Sequence, residues 1–325
     1  MKAAVVRAAG ATPVYGDFDR PFAKAGEELI SVRASALTQF SKSRASGSHY
    51  SSDGGFPLVA GADGVGVTQD GRRVYFVMPE APFGALAEFC PVRSNQCVIV
   101  PSALDDITAA AIANPGMSAW AALVERAHLL PGETVLVNGA TGTAGRLAVQ
   151  LAKHLGAGKV VATGRNAEEL EELKKLGADV VIPFTLGALH PSGAKDYENV
   201  LRQVFASGID VVIDYLWGES AKTVIVAIAK AVEGGRPVRF VHVGGASREE
   251  NIDLAGAALR SSAIVLMGSG VKSVPLSVLL QAIRNVFETV QPAGLKIATK
   301  VVPLSEVEEV WDQAPGKPRV VFSVG

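Results

Sequence analysis

The sequence predicts an α/β protein with two domains, one mostly β and one built on a doubly wound parallel sheet. Residues 1 to about 100 consist of short apolar stretches separated by glycine and proline, which is typical of a barrel or rolled sheet. From about Asp105 onward, runs rich in Val and Ile alternate with helical stretches, and this alternation predicts a parallel sheet covered on both faces. A length of 325 residues suits two domains of roughly 100–200 residues each.

The pattern changes again after Gly270. PLSVLLQAIRNVFETVQ predicts a helix, LKIATKVV a strand, SEVEEVWDQA a helix and PRVVFSV a last strand. Ser305 and Glu308 have the spacing of a capping box at the start of the second helix. We expect this part to return to the first domain, so that residues 1–120 and 271–325 form one domain and 121–270 the other.

Composition restricts the partners and the compartment. The formal net charge is −1, so there is no long-range attraction to nucleic acid or to an anionic membrane. Glycine or charge interrupts the apolar segments before the ~20 residues that a membrane span needs. The two cysteines, Cys90 and Cys97, are expected to be reduced thiols, with a disulfide as the alternative. These features predict a cytoplasmic protein with no nucleic-acid or membrane partner.

A glycine-rich turn lies in VNGATGTAGRLAVQLAKHLGA, where an apolar strand leads directly into an amphipathic helix. Gly139 lets the chain leave the strand, Gly142 lets a pyrophosphate approach the backbone, and Gly145 lets the helix pack against the strand. Free N–H groups and the helix dipole favour an anion at this position. We therefore predict a dinucleotide cofactor, bound by residues 139–145: Gly139, Ala140, Thr141, Gly142, Thr143, Ala144 and Gly145. The alternative is a tight turn that binds no ligand.

The end of the next strand, KVVATGRN, predicts which dinucleotide binds. Dinucleotide folds that bind NAD place an acidic residue about 20 positions after the glycine turn, where it contacts the ribose hydroxyls. Here Arg165 stands there, between Gly164 and Asn166, with no Asp or Glu beside it. A guanidinium binds a 2′-phosphate that a carboxylate would repel, so we predict NADP(H). The alternative is an ordinary solvated arginine in a loop.

Further candidate residues follow the later strands and one loop. Tyr215 comes after IDVVID, and glycines end two other strands, where nicotinamide would approach the backbone. The candidate cofactor-binding residues at these two strand ends are Val243, Gly244, Gly245 and Gly268. His49 and Tyr50, in the loop SGSHYSSDGGF, are candidate catalytic residues because either side chain can donate a proton or bind a carbonyl oxygen. A surface loop with incidental polar residues is the alternative.

Seven segments spread over nearly the whole chain carry a family resemblance: PLVAGADGVG, GALAEF, NPGMSAWAAL, GETVLVNGATGTAGRLAVQLAKHLGA, LGADVVI, IDVVIDY and GKPRVVFSVG. In this order they resemble the medium-chain dehydrogenase/reductase superfamily, and within it the zinc-free quinone oxidoreductase-like branch. The resemblance implies a GroES-like mostly β domain, a Rossmann domain and a nicotinamide site in the cleft between them.

The chain departs from the zinc alcohol dehydrogenases of that superfamily at each ligand of the catalytic zinc. The resemblance places Thr38, Ala62 and Asn114 at the three positions, and these residues lack the usual zinc-ligating groups. The structural zinc lobe of four cysteines is also absent. We therefore predict no functional metal.

These observations predict a zinc-independent oxidoreductase that transfers a hydride from NADPH to a quinone or an α,β-unsaturated carbonyl. A sensor or partner-binding module that binds NADPH with little turnover is the alternative. The apolar strand AIVLMGSG, from Ala263 to Gly270, lies at the sheet edge in the strand order of the family, and such an edge favours pairing with a second copy. We therefore predict a homodimer. The alternative is a monomer whose sheet edge is covered by a loop or by the following VKSVPLS segment.

Overall fold

The structure, a computed structural model, describes residues 1–47, 55–313 and 318–325. The chain forms two compact units. The first contains Met1–Asn114, Ile283–Thr289 and Ile297–Gly325; the second contains Pro115–Ala282 and Val290–Lys296. Both main changes from one unit to the other fall inside a helix, whereas the sequence placed the domain boundaries at residues 120 and 270.

The elements of the chain up to residue 126 are mostly strands: β1 Lys2–Val6, β2 Val14–Asp17, β3 Glu27–Ala36, α1 Gln39–Ala45, β4 Leu58–Val59, β5 Asp63–Val67, β6 Arg73–Val77, β7 Phe89–Arg93, β8 Cys97–Ile99 and α2 Asp106–Trp120. A π-helical turn, Ala121–Arg126, continues α2. By length and composition alone, Asp106–Arg126 is apolar enough to cross a membrane, but 61% of its apolar window is buried inside the protein, as in a core helix.

Strands and helices alternate in the next part: β9 Thr134–Asn138, α3 Thr143–His154, β10 Lys159–Gly164, α4 Ala167–Lys174, β11 Val180–Pro183, α5 Gly193–Phe205, β12 Val211–Asp214, α6 Gly218–Ala231, β13 Pro237–His242, α7 Gly256–Arg260 and β14 Ala263–Gly268. The last elements are α8 Leu276–Thr289, β15 Thr299–Pro303, α9 Val307–Trp311 and β16 Arg319–Ser323.

Two sheets form the first unit. One has the order β2-β1-β4, and the other has the order β15-β16-β3-β5-β6-β8, with β7 also paired to β3. Because β15 and β16 belong to the second sheet, the end of the chain completes the sheet that its beginning starts. The core beneath these sheets contains Phe76, Trp311 and Phe322. The predicted mostly β domain is thus confirmed.

A single six-stranded sheet forms the centre of the second unit, in the order β11-β10-β9-β12-β13-β14. All five pairings between neighbouring strands are parallel. All four residues of β12 and the last four of β9 are buried, which explains their continuous apolar sequence. The strand order reverses between β9 and β12, the position where open α/β sheets bind ligands.

The predicted capping box of the last helix is wrong. A 3₁₀ turn, Leu304–Glu306, precedes α9, so Ser305 is not its N-cap. The Glu308 carboxylate accepts a hydrogen bond from the backbone N–H of Tyr15 at 3.2 Å. A long-range contact therefore uses the side chain that the local pattern assigned to a cap.

Candidate functional site

The glycine turn joins β9 to α3 at the carboxyl end of the sheet. Gly139 has a φ of +82°, and a Cβ there would lie 2.8 Å from the Leu216 side chain. A Cβ on Gly145 would lie 2.5 Å from the carbonyl oxygen of Gly139. Both positions therefore require glycine for the protein's own folding, whether or not a ligand binds.

Gly142 differs from these two glycines because the protein has room for a side chain there. It is the N-cap of α3 with φ −68° and ψ 165°, and no side chain caps the helix. The nearest atom to an added Cβ is the Gly139 oxygen at 3.7 Å. The first turn of α3 contains no acidic residue, and its N–H groups lack intrahelical acceptors. This surface fits a pyrophosphate, and a side chain at Gly142 would occupy it.

The end of β10 lies beside the glycine turn. Residues of the turn and of the start of α4 line one open concave surface: Thr141, Arg165, Asn166, Ala167, Glu168 and Glu169. The Asn166 side chain caps α4 by accepting a hydrogen bond from the Glu169 backbone N–H at 3.1 Å. Arg165 has no acidic neighbour in the sequence, but Glu168 and Glu169 in the first turn of α4 bring two carboxylates to the same surface.

A buried polar layer lies beneath the carboxyl ends of the central strands. Asn138, the last residue of β9, donates hydrogen bonds to Asp214 at 2.8 Å and to Ser220 at 2.7 Å. Its side-chain oxygen accepts bonds from Thr163 at 2.7 Å and Tyr197 at 3.2 Å. The layer thus fixes the ends of β9, β10 and β12, and with them the start of the glycine turn.

Asp214 also connects this layer to the next strand. Its carboxylate accepts hydrogen bonds from the backbone N–H groups of Leu216 and Trp217 and lies 2.9 Å from Nδ1 of His242. The half-buried His242 ring lies 4.4 Å from the Trp217 ring, centroid to centroid. Asn138, Asp214 and His242 are site residues that the local sequence patterns do not predict. A polar residue at the last position of three neighbouring apolar strands was the available signal.

The candidates after β12 and β13 lie close to one another. Tyr215 is buried, which raises the pKa of its phenol. The N–H of Val243 donates to the Asp214 carbonyl at 2.7 Å, and a Cβ on Gly244 would lie 3.4 Å from the Tyr215 carbonyl. A Cβ on Gly245 would meet no atom within 4 Å. The backbone after β13 is therefore open to a flat ligand at Gly245.

Gly268 ends β14, and a Cβ there would also meet no atom within 4 Å. Its carbonyl oxygen accepts a hydrogen bond from Nε of Arg126 at 2.8 Å. Because this carbonyl oxygen already accepts a hydrogen bond, the contribution of Gly268 to a ligand site is the space beside its backbone.

Comparison with known proteins agrees with this geometry. Residues 144–287 match a family model described as zinc-binding dehydrogenase. The probable NADPH-dependent quinone reductase tdiC of Emericella nidulans is 27% identical over 94% of each chain. The 2-methylene-furan-3-one reductase of Solanum lycopersicum is 35% identical, over 51% of this chain and 46% of the tomato protein. This chain therefore spans about half the length of that relative.

Solved structures show the same fold. The quinone oxidoreductase of Thermus thermophilus, solved alone and with NADPH, is 24% identical and superposes with a TM-score of 0.77 over 99% of this chain and 100% of its own. In sequence and in fold, the chain resembles the medium-chain dehydrogenase/reductase superfamily. The quinone oxidoreductase-like resemblance is thereby confirmed.

The zinc-ligand positions of the superfamily lie before residue 144, outside the match to the zinc-binding dehydrogenase model. Thr38 is the N-cap of α1: its hydroxyl accepts from the Ser41 N–H at 2.7 Å and donates to the Ser41 hydroxyl at 2.9 Å. The N–H of Ala62 donates to the same Ser41 oxygen at 3.4 Å. Within the described part of the chain, no three His, Cys, Asp or Glu side chains cluster as metal ligands would.

A metal test follows from this donor set. Thr38, Ala62 and Asn114 offer no thiolate or imidazole, so reductase activity should survive exhaustive chelation, and elemental analysis should find well under one zinc per chain. Activity that is lost with chelator and restored by zinc would contradict the prediction.

Asp63, which follows Ala62, is fully buried in the first unit. Tyr75 donates a hydrogen bond to its Oδ2 at 2.7 Å, whereas its Oδ1 has no hydrogen-bond partner among the described residues. Burial raises the pKa of Asp63 to about 6, although Tyr75 and Arg319 oppose the shift. Nε and Nη2 of Arg319 are likewise buried without described partners, and burial lowers the pKa of that guanidinium.

A pH dependence of stability follows from Asp63. A carboxyl whose pKa is about 6 when folded and near 3.8 when unfolded stabilises the fold below pH 4 and loses that contribution as the pH rises through 6. The loss is at most roughly 3 kcal/mol. Asp63→Asn should remove this fall in the urea midpoint between pH 4 and 7, whereas Asp19→Asn, at an exposed site, should not. An equal pH dependence in Asp63→Asn and the unmodified protein would refute the assignment.

The proposed catalytic residues His49 and Tyr50 lie outside the described residues. Their roles therefore stay predictions from the sequence.

Proposed function

We propose that this protein is a zinc-independent oxidoreductase that transfers a hydride from NADPH to a quinone or an α,β-unsaturated carbonyl. The observation that carries the proposal is the glycine turn at the switch point of a parallel sheet. Gly142 leaves room there for a pyrophosphate, and Thr141 lines the same surface as Arg165. The quinone reductase and furanone reductase among the relatives support the acceptor class.

NADPH supplies the hydride, and the protein binds and orients it. The first N–H groups of α3 would hold the pyrophosphate at Gly142, and the Arg165 guanidinium would pair with the 2′-phosphate. The open backbone at Gly245 and Gly268 would admit the nicotinamide ring. The buried layer of Asn138 and Asp214 fixes the strand ends that carry these contacts.

The acceptor class follows from the residues at the zinc positions. Oxidation of a simple alcohol needs a group that polarises its oxygen, and Thr38, Ala62 and Asn114 cannot hold such a metal. Quinones and enones already accept hydride readily, because their carbonyls withdraw electron density from the reacting atom. For such an acceptor, hydride transfer needs only a protein group that orients it, and no metal that polarises its oxygen.

An acceptor panel tests the proposal. Purified protein is mixed with NADPH, a quinone or an enone is added, and the absorbance of the reduced cofactor is followed. We expect consumption that depends on both protein and acceptor. Binding of NADPH without consumption across a broad panel would contradict the reductase and favour the sensor or partner-binding module.

We also propose that the protein is cytoplasmic and forms a homodimer through β14. This strand ends the six-stranded sheet and pairs with β13 on one side. Its Val265 and Leu266 side chains are 46% and 40% exposed. An exposed apolar edge favours pairing with a second copy, and a two-fold axis would continue the sheet across both chains.

The dimer proposal is tested by a charge at this edge. Leu266→Lys would bring two like charges together at a two-fold interface, so light scattering should show a shift toward monomer. The control is Leu189→Lys, at a side chain that is 91% exposed and lies outside β14. A monomeric mass for the unmodified protein at high micromolar concentration would reject the dimer.

A further inference from the structure

A second arginine borders the concave surface at the end of β10. Arg146 lies in the first turns of α3, immediately after Gly145. Its Nε donates to the carbonyl oxygen of Thr141 at 3.3 Å, and its Nη2 lies 3.9 Å from a carboxylate oxygen of Glu169. Thr141 and Glu169 both line the concave surface that also contains Arg165. The Arg146 guanidinium is therefore held beside this surface by two of its lining residues.

The contact between Arg146 and Glu169 is a loose one. A charge-assisted N–H···O bond is usually about 2.7–2.9 Å long, and the 3.9 Å pair with Glu169 is longer. The Arg146 side chain is 22% exposed and that of Glu169 is 42% exposed. The partly buried arginine thus faces a more solvated carboxylate, which a stronger anion can displace.

The charges at this surface explain why a single arginine is a weak basis for cofactor choice. Glu168 and Glu169 both line it, and their carboxylates would repel a phosphate dianion. Arg165 carries one positive charge against these two carboxylates, and Arg146 adds a second, which also acts on Glu172. A 2′-phosphate bound at this surface would then have two guanidinium groups to pair with.

We propose that Arg146 is a second determinant of NADPH specificity, and that Glu169 is its counter-ion until the 2′-phosphate takes the place of the carboxylate. This inference rests on the proposed function and deepens it, because it names residues that select between the two dinucleotides. The Glu169 carboxylate repels the phosphate and the Arg146 guanidinium attracts it. These two side chains together therefore set how strongly the protein prefers NADPH to NADH.

Equilibrium titration of each variant with NADPH and with NADH, without an acceptor, tests the inference. Arg146→Gln should raise the Kd for NADPH by about tenfold or more and change that for NADH by less than about twofold. Arg146→Lys keeps the charge and should retain part of the affinity. Glu169→Gln removes the competing carboxylate, so it should lower the Kd for NADPH several-fold and leave the Kd for NADH unchanged. Arg202→Gln, at an exposed position on α5, is the control.

A purely structural role gives a different result. If Arg146 only stabilises the packing of α3 against α4, Arg146→Gln will weaken the binding of both dinucleotides equally or of neither. Either outcome overturns the inference. If Arg146→Gln does not fold, Glu169→Gln decides, because unchanged NADPH affinity in that variant overturns the inference as well. Failure of the reductase proposal is separate: the unmodified protein would then bind NADPH yet consume none with any acceptor.

Discussion

Gly142→Val abolishes NADPH binding in our account and leaves the protein folded. A side chain at this N-cap would stand in front of the first N–H groups of α3, where the pyrophosphate must approach. The protein itself has room for it, since the nearest atom to an added Cβ is 3.7 Å away, so we expect a change of only about 1 kcal/mol in the free energy of unfolding. Titration with NADPH and urea unfolding of the same sample measure both effects.

Gly145→Ala is the comparison variant for the stability measurement, because at this position the protein itself has no room for a side chain. Its Cβ would lie 2.5 Å from the Gly139 oxygen and 2.7 Å from Cα of Ala140, so this smaller substitution should destabilise the fold by about 1–3 kcal/mol. Unchanged NADPH affinity in Gly142→Val would mean that the dinucleotide binds elsewhere.

Arg165→Ala should remove most of the preference for NADPH over NADH. A charge-assisted contact of about 1.5–3 kcal/mol corresponds to roughly ten- to over a hundredfold in affinity. Only the Kd for NADPH should rise, because NADH lacks the 2′-phosphate. Titrations of the variant with both cofactors, beside Arg202→Ala, measure the effect. Equal affinities for the two cofactors in the unmodified protein would refute the role of Arg165.

The features that the sequence predicts best are those with a local cause. Continuous Val and Ile in β9 and β12 report burial on both faces, and the spacing of Gly139 and Gly145 reports a strand that turns directly into a packed helix. The parallel sheet and its glycine turn were therefore predictable.

Features that depend on folding were not predictable in the same way. Glu169 reaches the surface beside Arg165 because α4 begins at Ala167, and Asn138 meets Asp214 because β9 and β12 are neighbours in the sheet. Glu308 failed as a capping residue because Tyr15, near the other end of the chain, takes its carboxylate. Local patterns carry no information about such distant partners.

The most direct measurement of the central claim follows the hydride itself. The protein is supplied with NADPH that carries deuterium at C4 of the nicotinamide, on one face in each of two preparations, and with an enone as acceptor. Our account predicts that mass spectrometry of the product finds one deuterium, on the carbon β to the carbonyl, from one preparation and not from the other. A reduced product without deuterium from either preparation, or no product while NADPH stays bound, would contradict the account.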